Sequence, residues 1–107
     1  MYEFRRIRQT DDMFDFEILF NNEHIGELNI NNNHDTIFIR HIGIDTPFRR
    51  CGHARNVVEH IFTVFSKDIC FCVAASSDSA VKFWNRLLEE KAHTHIRGNI
   101  YRLNKII

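Results

Sequence analysis

Little in this sequence interrupts the chain. It has one proline, Pro47, and no repeat, linker or low-complexity tract. No apolar run approaches the roughly 20 residues of a membrane-spanning helix. The opening Met1-Tyr2-Glu3-Phe4-Arg5-Arg6 is not followed by the apolar stretch of a secretory signal. These absences set the expectation of a cytoplasmic protein without a membrane partner. Cysteine is scarce: Cys51, Cys70 and Cys72 are an odd number with no CxxC spacing, which suits free thiols in a reducing compartment. Net charge is absent too, with 14 basic and 14 acidic residues, and a neutral total argues against non-specific binding to nucleic acid.

The neutrality is uneven. Residues 1–35 hold eight acids against three bases, and residues 36–107 hold the remaining six acids against eleven bases. A basic second part suits a polyanionic small molecule, or the two parts simply attract each other. At 107 residues with 44% hydrophobic content, the chain fits one domain over residues 1–107, with ten phenylalanines supplying much of its core.

Periodicity separates a strand-rich front from a mixed rear. Tyr2 to Arg8 reads as a strand. Phe14, Phe16, Ile18 and Phe20 alternate with Asp15, Glu17 and Leu19, the period of a half-buried strand. Asn21-Asn22 marks a turn, and strands at Ile25–Ile30 and Thr36–Ile44 come next, separated by Asn31 to Asp35. The period then changes. Ala54, Val57, Val58, Ile61, Phe62 and Phe65 fit one face of a helix. Ile69 to Ala74 is a buried strand, Asp78 a candidate N-cap, and Ala80, Phe83, Trp84, Leu87 and Leu88 the apolar face of a second helix. His93 to Leu103 closes the chain as a last strand, with Gly98-Asn99 a candidate interruption. The order β-β-β-β-α-β-α-β indicates an α/β or α+β sandwich with a mixed, mostly antiparallel sheet.

The segment richest in chemistry is Ile42-Gly43-Ile44-Asp45-Thr46-Pro47-Phe48-Arg49-Arg50-Cys51-Gly52-His53-Ala54-Arg55. It leaves an apolar strand, turns, and enters a helix through small residues. The first N–H groups of a helix lack internal partners and carry partial positive charge. Small residues let a phosphate reach them, and Arg49, Arg50 and Arg55 supply charged donors.

This segment resembles motif A of the GNAT N-acetyltransferases, in which Arg or Gln is followed by any two residues, Gly, any residue, and Gly or Ala. Here it reads Arg49-Arg50-Cys51-Gly52-His53-Ala54. Ile42-Gly43-Ile44 resembles the strand that pairs with the pantetheine arm in that family. Asp78-Ser79-Ala80-Val81-Lys82-Phe83-Trp84-Asn85-Arg86-Leu87 resembles its second motif. The likeness covers about residues 13–107. It implies acetyl-CoA as co-substrate, held by Ile42, Gly43, Ile44, Arg49, Arg50, Cys51, Gly52, His53, Ala54 and Arg55, and transfer of the acetyl group to an amine acceptor, a protein among the choices. Members usually carry two helices between the first two strands, and Gln9 to Met13 is too short for them. Trp84 stands where many members have a tyrosine thought to protonate the departing thiolate, and an indole cannot serve as that acid. The rival expectation is a GNAT-fold interaction protein that binds CoA weakly or not at all and does not catalyse.

The candidates for proton transfer are fewer. His41, near the end of the fourth strand, is either a general base or a strand histidine without a chemical role. Cys72 on the fifth strand either faces the acyl group or is a small core residue. Ser76, Ser77 and Asp78 supply a proton or cap the second helix. His93 and His95 are too few ligands for a metal, and none is expected. Edge strands in so small a fold admit a homodimer.

Overall fold

The computed structural model describes residues 1–73 and 77–104. Four strands come first: β1 (Tyr2–Thr10), β2 (Met13–Phe20), β3 (Glu23–Asn32) and β4 (Thr36–Ile44). A short 3₁₀ turn at Thr46–Phe48 leads into α1 (His53–Phe65), β5 (Asp68–Cys72), α2 (Asp78–Glu90), β6 (His93–Arg97) and β7 (Ile100–Leu103). The strands form one sheet in the order β1-β2-β3-β4-β5-β7-β6. Every neighbouring pair is antiparallel except β4 and β5, which run parallel and are joined through α1.

The alternation of β2 decides which face is covered. Phe14, Phe16, Ile18 and Phe20 point to the helices; Phe16 meets Phe65 of α1, and Phe20 lies against His53. The helices lie side by side on that face, tied by Arg55–Glu90 and Lys91–Glu59 ion pairs. Val57, Val58 and Ile61 of α1 and Trp84 and Leu87 of α2 join Ile18, Ile25, Leu28, Ile30, Ile37, Ile39, Ile69 and Phe71 in one core. Each such side chain contributes about 1.5–3 kcal/mol when fully removed from water. Among the described residues no helix covers the other face. It carries polar pairs instead: Glu17 with Arg5 and His24, Asp15 with Arg40 and Asn29, and Asp68 with Arg102.

Bulges punctuate the sheet. Asn29 pairs with His41 and Ile30 with Ile39, so Arg40 is an extra residue in β4. The two edge strands carry bulges as well, at Ile7 of β1 and Ile96 of β6, and both side chains are exposed.

Several expectations need correction. The last strand is two, β6 and β7, folded back at Gly98 with φ of 51°, so the sheet has seven strands and not six. The cap of α2 is Ser77, whose hydroxyl accepts the Ala80 N–H at 3.3 Å, and Asp78 is the first helical residue. Leu19 belongs with the polar residues of β2 by period, yet it is buried. β5 begins at Asp68 and ends at Cys72; Ala74 and Ser76 lie outside the described residues. One expectation holds: the turn between β1 and β2 is only Asp11-Asp12, with Asp11 at φ of 51°, so no helices stand between them.

Candidate functional site

The single parallel pair creates the site. β4 and β5 are paired only from Thr36↔Asp68 to Ile39↔Phe71. At the next residue β4 bulges, and β5 ends at Cys72, so Arg40 to Ile44 have no described neighbour on that side. A bulge turns a strand away from its partner and re-aims the residues beyond it. Ligands in open α/β sheets sit beyond the carboxyl ends of strands where the chain order changes direction, and this is such a place.

A groove of about 1280 Å³ opens there. That exceeds the roughly 300–1,000 Å³ common for small-molecule sites. Ile42 and Ile44 face the core and helices, since Ile42 pairs with core residue Leu28. His41 and Gly43 therefore face the helix-free side. The His41 ring lies over Gly43, where a Cβ would stand 2.7 Å from its Nε2. Cys72 is on that same side, because Ile69 and Phe71 of β5 face the core. His41, Ile42, Gly43, Ile44 and Cys72 all line the groove, which thus passes from one face of the sheet to the other.

One end of the groove is the start of α1. Gly52 is its N-cap at φ of 78°, and the helix has no side-chain cap and no acid in its first turn. The first backbone N–H with a helical partner is that of Asn56, bonded to the Gly52 carbonyl at 3.1 Å. A Cβ at Gly52 would meet nothing within 4 Å, so open space adjoins the free N–H groups. Arg50 holds φ of 64°, unusual for a residue with a side chain. Left-handed backbone of this kind costs about 1 kcal/mol or more and collects at functional sites.

The flanking groups divide by what they touch. Arg49 Nε donates to the Ile44 carbonyl at 2.8 Å and fixes the turn. Arg55 is committed to Glu90. Arg50 has no partner among the described residues. Cys51 is exposed, its thiol 3.5 Å from the Arg49 carbonyl. The His53 side chain turns back to the sheet, where its Nδ1 lies 2.7 Å from the Tyr2 hydroxyl, and His53 and Ala54 both line the groove. Asn56 donates to the same Tyr2 oxygen at 3.2 Å. Opposite, α2 contributes Trp84, stacked on Phe71 with ring centres 4.2 Å apart. Lys82 and Arg86, which sequence reasoning passed over, line the same wall. Burial holds the Cys70 thiol above its ordinary value, so it is a poor thiolate; it stands one residue from the end of the β4–β5 ladder.

No family model matches the sequence, and no curated protein matches it. Among solved structures 72 chains match. One is a protein described as a GNAT-family acetyltransferase from Bacteroides thetaiotaomicron, at TM-score 0.70 and 10% identity, covering 92% of this chain. The fold is GNAT-like. The ribosomal-protein-S18-alanine N-acetyltransferase of Escherichia coli matches the GNAT-like fold over 92% of this chain and 73% of its own, at TM-score 0.65 and 19% identity. The PaiA N-acetyltransferase of Thermoplasma acidophilum, solved in complex with coenzyme A, matches over 87% of this chain and 61% of its own, at TM-score 0.64 and 8% identity. This GNAT-like chain spans 65% of the length of the Bacteroides protein.

Proposed function

We propose that this chain is an N-acyltransferase that takes an acetyl group from acetyl-CoA and gives it to an amine. The carrying observation is the juxtaposition of the unpaired β4 edge at Ile42–Ile44 with the uncapped, acid-free start of α1 in one groove. A pyrophosphate fits the free N–H groups and the open space at Gly52, with Arg50 as its charged partner. A pantetheine arm fits the β4 edge as an added strand would. Solved structures of the same fold with coenzyme A bound support the choice of ligand.

In this reading the thioester lies where β4 and β5 part, and the acceptor enters from the helix-free face. The amine attacks the thioester carbonyl, whose oxygen is polarised by a main-chain N–H of β4. His41 takes the amine proton, directly or through one water, and Cys72 lies beside the acyl group. The carbon–sulfur bond then breaks, and the imidazolium returns a proton to the CoA thiolate. Holding both reactants in place supplies most of the acceleration.

A second reading is a CoA-binding protein without turnover. It is favoured by Trp84, whose indole is wedged between Phe71 and Phe83 and cannot protonate a thiolate.

Calorimetry with acetyl-CoA, followed by release of free CoA thiol in the presence of an amine panel, tests both. Binding with turnover supports the first reading, and His41→Ala then lowers turnover while leaving affinity intact. Binding without turnover supports the second. No binding by wild-type protein rejects both.

A further inference from the structure

The groove has a second basic wall. Lys82 and Arg86 stand one turn apart on α2, both exposed and both lining the groove that the start of α1 also lines. Neither forms an ion pair among the described residues. Asp78, one turn before Lys82, lines the groove too, yet no ion pair joins them. Like charges at i and i+4 on a helix repel, and Glu90, one turn after Arg86, is paired with Arg55 instead. Three neighbouring cations are engaged elsewhere, Arg55 by Glu90, Lys91 by Glu59 and Arg40 by Asp15.

We infer that Lys82 and Arg86 form a separate phosphate subsite that receives the 3′-phosphate of the CoA ribose while the start of α1 receives the pyrophosphate. The inference rests on the proposed function and deepens it. On CoA the 3′-phosphate and the pyrophosphate hang from the same ribose, so a ligand carrying both needs two anion sites in one groove, and this groove is lined by both. A ligand with the pyrophosphate alone would leave Lys82 and Arg86 unmatched. The subsite therefore selects CoA over dephospho-CoA, which is identical apart from that phosphate.

The test is a comparison of the two ligands by calorimetry on wild-type protein and on the Lys82→Ala, Arg86→Ala double variant, with thermal melting to establish that the variant is folded. Wild type is expected to bind CoA about three- to tenfold more tightly than dephospho-CoA, the scale of two solvent-exposed charge pairs. The double variant is expected to bind both ligands alike, at the wild-type affinity for dephospho-CoA. Raising the salt is expected to shrink the wild-type preference. Equal wild-type affinities would overturn the subsite and leave the pyrophosphate site standing. A variant that loses affinity for both ligands equally would overturn it too, because the two cations would then act as a general field. If wild type binds neither ligand, the inference falls together with the proposed function.

Discussion

The two helices begin in opposite ways. α2 starts as an isolated helix would choose to: Ser77 caps an N–H with its hydroxyl, and Asp78 adds a negative charge to the first turn. α1 starts with a left-handed glycine, no side-chain cap and no acid, among Arg49, Arg50, His53 and Arg55. Its beginning is pinned from behind, by Tyr2 bonded to His53 and Asn56, and is open in front. One helix start satisfies itself, and the other leaves its N–H groups for something from outside. That omission is the feature on which the proposed anion site rests.

The comparison can be broken in several places. The largest effect is expected at Trp84, which anchors α2 and is 7% exposed. Trp84→Ala should lower stability by about 3–5 kcal/mol in urea denaturation; a variant that melts like wild type would show that α2 does not depend on this contact. Next comes Gly52→Asp. Aspartate tolerates left-handed backbone, and the space around Gly52 is open. The variant should fold at a cost of about 1–2 kcal/mol for the left-handed backbone, while its carboxylate occupies the free N–H groups and cuts acetyl-CoA affinity more than about tenfold. Unchanged affinity in the folded variant would remove the anion site from the start of α1.

Ser77→Ala should cost about 1 kcal/mol, the usual worth of a cap, with acetyl-CoA affinity unchanged by calorimetry. Tyr2→Phe removes the hydroxyl shared by His53 and Asn56. It should cost about 1 kcal/mol and, unlike the Ser77 change, weaken acetyl-CoA binding, because the first turn of α1 loses its rear support. The smallest effect concerns His60 of α1, packed against Tyr2 and Phe4. Burial holds its pKa below the ordinary 6.5, and the nearby N-terminal ammonium acts the same way. The unfolded chain therefore takes up the proton first. This contribution to stability is complete above about pH 6.5 and is lost as pH falls through that value. A melting temperature that declines from pH 7.5 to 5.5 in wild type but less in His60→Phe would bear this out.

Most of the sheet and both helices are visible in the sequence because each has its own period. The bulge at Arg40 is written there as well. Ile37, Ile39, Ile42 and Ile44 all face the core, and the step from two to three residues between Ile39 and Ile42 is the signature of one extra residue. Read as a plain strand, Thr36–Ile44 hides the place where the sheet parts. Partners distant in the chain were not legible. Arg55 belongs among phosphate-loop cations by position, and only the packing of α1 on α2 brings it to Glu90. The His53 side chain turns to a tyrosine 51 residues earlier. Lys82 and Arg86 are recognisable as lying off the apolar stripe of α2, but a helical period says which residues leave the core and not what they look onto.

The bulges on the outermost strands bear on how these molecules behave in a crowded solution. An outer strand with a straight row of free N–H and C=O groups is a template for another chain, the beginning of aggregation. β1 meets this hazard with an inserted residue at Ile7, and β6 with one at Ile96. Each insertion throws the backbone groups out of step partway along, so an incoming strand could pair over only a few residues before losing register. Both outer strands are thus blunted by one added residue apiece, and deleting either would straighten that edge.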